Sequence, residues 1–262
     1  MPNLTRKQVD VVFDGTFEGF LSVVYAYYYE GILPRSIQYS DAFQLSIVQD
    51  EYFVVTSIDN AKKVEKALSK KISANAKGNV QYAFLSSAPD RYDLLFQYIV
   101  TGFKVGSSID NHLQNETVHR VQKLAREVGR EAHRYTGFCR FEETIHGIYY
   151  CSIDPVNHVL SILANHFADR MMNQSWVIHD KKHNQAVVYD GHDYTFVDVN
   201  ANQAPPRMVE NEQEIQSLWT MYFNTLAIEA RKNPKLHRQI MPLRYRSEMT
   251  EFKYKNMPHS DV

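Results

Sequence analysis

The sequence predicts an α+β fold: a mainly antiparallel sheet packed with several helices and followed by a helical C-terminal segment. Three observations carry this. Asn115 to Gly147 reads as one long helix entering a β-hairpin. Residues 138–199 then show the order ββαβββ, which favours antiparallel pairing with helices on one side. Elsewhere apolar residues recur mostly at helical spacing. The chain has 262 residues, 44% hydrophobic and 23% charged, enough to bury a full core. It divides into an N-terminal α/β-helical region (1–110), a central helix with an antiparallel sheet (111–205) and a C-terminal helix with a basic tail (206–262), expected to form one continuous globular body.

Val9 to Phe13 is a β-branched run and reads as a strand, turned by Asp14-Gly15. Thr16 then caps a helix with Phe17, Phe20, Leu21, Val24, Tyr25 and Tyr28 at helical spacing, and Gly31 and Pro34 stop it. That spacing favours core packing over a base-stacking platform. Tyr52 to Thr56 is the next strand. Ser57 or Asp59 caps a helix through Ala61, Val64, Leu68 and Ile72, whose Lys62, Lys63, Lys66, Lys70 and Lys71 form a solvated basic face. Asn75 to Leu85 and Arg91 to Phe103 are two further helices. No glycine-rich phosphate loop follows a strand.

In the central helix Val118, Val121, Leu124, Ala125, Val128 and Ala132 share one face. Asn115 is its N-cap and Gly137 its end. Lys123, Arg126, Arg130, His133 and Arg134 gather with His119 on the opposite face. Arg126, Arg130 and Arg134 are like charges at i,i+4, each pair costing about 0.2–0.5 kcal/mol in an isolated helix. The face is either simply solvated or a phosphate-binding stripe that Arg140 extends.

Beyond it, Phe138 to Thr144 and Ile148 to Ile153 form a hairpin around His146-Gly147. Asp154-Pro155 opens a helix from Val156 to Met171. Ser175 to Asp180, Gln185 to Asp190 and Tyr194 to Val199 are strands, with a turn at Asp190-Gly191. After a break at Pro205-Pro206, Asn211 and Glu214 resemble a capping box. The final helix puts Ile215, Leu218, Trp219, Tyr222, Phe223, Leu226 and Ala230 on one apolar face, expected to dock on the body. The tail is basic, with Tyr245, Phe252 and Tyr254 interleaved.

Net charge is −1, so any polyanion must be met by a local patch rather than a global field. Two cysteines, Cys139 and Cys151, on neighbouring predicted strands, point to reduced thiols in a cytoplasm. No run is long and apolar enough for a membrane helix and no targeting signal is visible. For chemistry, His166 and Arg170 fall inside the apolar arc of their helix, next to Asp169 and ahead of His179 and Asp180 on the following strand. These five form either a pocket for acid–base catalysis or a buried arginine–carboxylate brace with a hydrogen-bonded histidine. Glu142 is a further candidate. No local metal-ligand spacing, nucleophile elbow or cofactor fingerprint appears, so neither metal nor cofactor is expected.

REAHRYTGFCRF at 130–141, HFADR at 166–170, WVIHD at 176–180, FDGTFEGFL at 13–21 and the NP…MPLRY run at 233–245 resemble a bacterial family of DNA-metabolism proteins. Arg246 departs from that family, which tends to an aromatic there. The resemblance implies a neighbouring radical-SAM DNA-repair or modification protein as partner. The same domain is also fused to uracil-DNA-glycosylase-like domains, which this chain does not include. What is implied is therefore a context, DNA repair or DNA metabolism. Three roles follow: a DNA-binding accessory module, a hydrolase or lyase acting on damaged or modified DNA, or a protein-interaction scaffold.

Overall fold

A run of Val9, Val11, Val12 and Phe13, each at most 2% exposed, needs cover on both faces, and it lies at the centre of a parallel sheet. The structure, a computed structural model, describes residues 7–39, 50–200, 206–226 and 233–253. It is mixed α and β and forms two compact units, Met1–Gly129 and Arg130–Val262.

In the first unit β1 (Lys7–Phe13) is flanked by β2 (Ile32–Tyr39) and β3 (Glu51–Phe53), all parallel, in the order β2-β1-β3. Between β1 and β2 runs α1 (Phe17–Tyr29), capped by Thr16, whose Oγ1 accepts from the Gly19 amide at 2.9 Å. Phe20, Leu21, Val23 and Val24 are fully buried, each contributing about 1.5–3 kcal/mol. Phe17, Tyr25 and Tyr28 pack half-buried against the same core, and the Phe13 and Tyr92 rings meet edge-on at 5.0 Å. The aromatic stripe is core, as its spacing predicts.

Strand β2 departs from the sequence reading, in which Pro34 ends the helix and opens no strand. Pro34 lies on an edge strand next to a register shift between Val9 and Asp10, where a missing amide is tolerated. Next come α2 (Ile58–Ala67), capped by Ser57, a π-helical turn (Leu68–Ile72), α3 (Ala74–Phe84) and α4 (Arg91–Val105).

Helix α5 (Glu116–Phe138) is capped by Asn115, whose Oδ1 accepts from the Val118 amide at 3.1 Å. Its predicted apolar face is buried throughout: Val118, Val121, Leu124, Ala125, Val128 and Ala132. Gly137 does not end it; without a positive φ it stays helical and the last residue is Phe138.

The second unit carries β4 (Glu142–Glu143), β5 (Tyr149–Ile153), α6 (Leu160–Arg170), β6 (Trp176–Asp180), β7 (Gln185–Tyr189) and β8 (Tyr194–Asp198). The sheet runs β4-β5-β6-β7-β8, antiparallel except for β5 and β6, which α6 joins in parallel. The ββαβββ order and the mainly antiparallel pairing of this sheet match the expectation. Helix α6 starts later than the Asp154-Pro155 signal suggests. The Val156 and Asn157 amides are bound by the Glu131 carboxylate at 2.9 Å each, which holds that stretch out of helical pairing.

The C-terminal segment holds α7 (Glu212–Leu226), α8 (Pro234–Ile240), α9 (Leu243–Arg246) and α10 (Thr250–Lys253). The apolar face of α7 is not docked as expected. Phe223 meets Phe252 of α10 at 5.8 Å, but Leu218 and Tyr222 are 62% and 57% exposed. Periodicity shows that a helix has an apolar face, not that a partner covers it. Pro205, Ala230 and Tyr254 lie outside the described residues.

Candidate functional site

Strand β6 alternates. Trp176, Ile178 and Asp180 are buried on the face that α6 covers, where Phe167 and Trp176 pack at 6.3 Å. Val177 and His179 therefore face the other way. On that second face lies an open cleft of about 870 Å³ within the second unit. Val177, Ala186, Val188 and Val197, from β6, β7 and β8, give it an aliphatic floor. Tyr150, Ser152, His179, Lys181 and Glu248 supply its polar groups, and Pro206 and Met208 line it from the segment after β8.

Tyr150 Oη lies 2.7 Å from His179 Nδ1. Burial pushes the Tyr150 phenol up to about 12. Burial also lowers His179 below its ordinary value, against the opposing charge of Asp180 and helped by Lys181. Both groups are therefore uncharged at neutral pH. The protonated phenol is the natural donor to Nδ1; in that arrangement Nε2 carries the imidazole proton. Beside the pair, Glu248 accepts from Ser152 Oγ at 2.6 Å and from Lys181 Nζ at 2.6 Å.

Arg140 also lines the cleft, but its guanidinium donates to both oxygens of Glu251, at 2.7 and 3.1 Å, and to the Gly137 and Cys139 carbonyls. Burial disfavours the Glu251 charge, yet the Arg140 hydrogen bonds hold its carboxyl below the usual range. Arg140 therefore closes a buried ion pair rather than extending a basic stripe, contrary to expectation.

The five residues expected as one acid–base cluster are not brought together. Asp169 and Arg170 at the end of α6 are exposed, so Arg170 does not face the sheet. His166 is half-buried with its ring edge-on to Phe167 at 4.9 Å. His179 and Asp180 are neighbours in sequence and so point to opposite faces of β6. Asp180 is 1% exposed and binds the Lys182 and His183 amides and His183 Nδ1, the last at 2.6 Å. His183 in turn lies against His158, ring centroids 4.0 Å apart. Among the described residues, arginine–carboxylate braces on buried acids form instead at Arg35–Asp10, Arg140–Glu251 and Arg244–Glu131.

The charged face of α5 remains open to solvent. Arg126, Arg130 and His133 are exposed and Arg134 is half-buried over the Tyr245 ring at 5.9 Å. Among the described residues no ion pair ties Arg126, Arg130 or Arg134 to an acid, whereas Lys123 reaches Glu127 at 3.9 Å and Arg120 reaches Asp90 at 2.9 Å.

Sequence reasoning missed Tyr150, Ser152, Lys181, His183 and Glu248. For the first two a signal existed: in β5 they alternate with buried Cys151 and Ile153. Both cysteines are free thiols, and burial together with the neighbouring Cys151 pushes Cys139 well up. Cys139 follows α5 directly rather than lying on a strand. Among the described residues no group of three or more histidine, cysteine or acidic side chains is arranged to hold a metal ion, and no helix is long and apolar enough to cross a membrane.

Residues 89–251 match the family described as a domain of unknown function, DUF4130. The chain belongs to the DUF4130 family. Its matched span contains α5, the five-stranded sheet and every residue lining the cleft. No curated protein and no solved structure matches the chain.

Proposed function

We propose that this DUF4130 protein is a DNA-binding accessory module of DNA repair or DNA metabolism, acting with a radical-SAM partner, and that the basic face of α5 is its contact with DNA phosphates. One observation carries the reading: Arg126, Arg130 and Arg134 stand one turn apart on an unbroken helix with no acid of the described chain paired to them. Like charges at i,i+4 repel, and a polyanion relieves that repulsion. Counter-ions released from the phosphates then make binding depend steeply on salt. The test is duplex DNA binding across a salt series with wild type and Arg126→Ala/Arg130→Ala/Arg134→Ala. The variant should bind more weakly at every salt concentration, its log–log slope reduced by about 0.9 for each phosphate it no longer neutralises. Equal affinity and slope would remove α5 from the interface. Recovery of the radical-SAM protein in a pull-down, with flat DNA titrations, would favour a protein-interaction scaffold instead.

A further inference from the structure

We infer that the cleft on the open face of the five-stranded sheet takes a single unstacked nucleobase, which enters it without its phosphate. The inference rests on the DNA-binding reading above and adds to it the place where the strand is read.

The floor is the first argument. Val177, Ala186, Val188 and Val197 come from three consecutive antiparallel strands, so their side chains form one broad apolar surface beside Tyr150. Such a surface suits the face of a flat ring. At about 870 Å³ the cleft also has the size of a small-molecule site.

The charges are the second argument. The two cations of the lining are already committed, Lys181 to Glu248 and Arg140 to Glu251. His179 is uncharged at neutral pH, for the reason given above. Glu142 and Asp198 add carboxylates to the lining. A phosphate placed here would meet no available positive charge and would be repelled by these acids. The polar groups are instead those that read the edge of an uncharged heterocycle: the His179 Nε2 proton, the Ser152 hydroxyl, the Asn184 amide and carboxylate acceptors. Phosphates belong outside, on the helix. Arg140, which lines the cleft, comes two residues after the end of α5.

The experiment uses the full chain and duplex DNA carrying 2-aminopurine at a mismatch, whose fluorescence rises when the base leaves the stack. Wild type should raise it several-fold on binding. Val188→Trp fills the floor at an exposed position, and His179→Ala removes the edge contact. Both should abolish the rise while the salt slope keeps its wild-type value, because that slope reports the phosphate contacts of α5 and not the base contacts of the cleft. The α5 triple variant should instead show a reduced slope. Binding without a fluorescence rise, or a rise that survives both cleft variants, overturns the base site and leaves the α5 reading intact. If the chain binds no duplex, the α5 reading fails, and free 2-aminopurine riboside titrated against its 5′-monophosphate decides the cleft. Preference for the riboside, abolished in Val188→Trp, supports the site; no binding, or preference for the monophosphate, overturns it.

Discussion

Glu131 is 2% exposed, and its carboxylate binds the Val156 amide, the Asn157 amide and side chain, and Arg244. Removing it empties a buried acceptor site and takes a partner from two backbone amides, the Asn157 side chain and the half-exposed Arg244 guanidinium. Glu131→Ala should therefore lower stability by about 3 kcal/mol, seen as a shift in the urea midpoint, and Glu131→Gln by less because it keeps an acceptor. A negligible loss in the alanine variant would mean that water replaces the carboxylate. His179 makes a different kind of prediction. Burial holds it below its ordinary value of 6.5, so the unfolded chain takes up a proton first as pH falls. Its contribution is complete above pH 6.5 and is lost as pH drops through the folded value. Stability measured on either side of pH 6.5 should decline toward acid, and His179→Asn should flatten that decline. An unchanged slope would place the titration on another group.

The elements were legible where their signals are local. The caps Thr16, Ser57 and Asn115 each accept from an amide three residues on, so a short window of sequence contains both partners. The buried face of α5 follows from periodicity in the same way. Gly137 was misread because glycine suits both a helix end and a helix interior, and only the backbone dihedral tells them apart. Since a Cβ at Gly137 would meet nothing within 4 Å, Gly137→Ala should stabilise α5 by about 0.5–1 kcal/mol, read as a higher melting temperature. Gly19 is the opposite case. A Cβ there would collide with the Asp14 carboxylate tucked under the start of α1, so its smallness is required by close approach. Strand β2 was hidden because Pro34 stops helices and strands alike unless, as here, it sits at a sheet edge beside a bulge.

Across the whole molecule, apolar area and net charge set what each surface can do. Leu218, 62% exposed on α7, supports no core, so Leu218→Lys should leave stability within about 0.5 kcal/mol of wild type; a larger loss in thermal unfolding would show a packing role. A net charge of −1 provides no long-range pull on DNA, which concentrates the burden on the α5 face. The sequence by itself determined the mixed α and β character, the helix caps, the buried face of α5 and its open basic face. Each depends on residues within one or two helical turns. Only the tertiary structure decided which polar groups meet. It separated Arg170 and Asp180 from His179 and brought Tyr150 to His179 across 29 residues, Ser152 to Glu248 across 96, and Arg140 to Glu251 across 111. Strand register, the parallel pairing of β5 with β6 and the return of the C-terminal helices fix those meetings, and none of the three is written in local spacing.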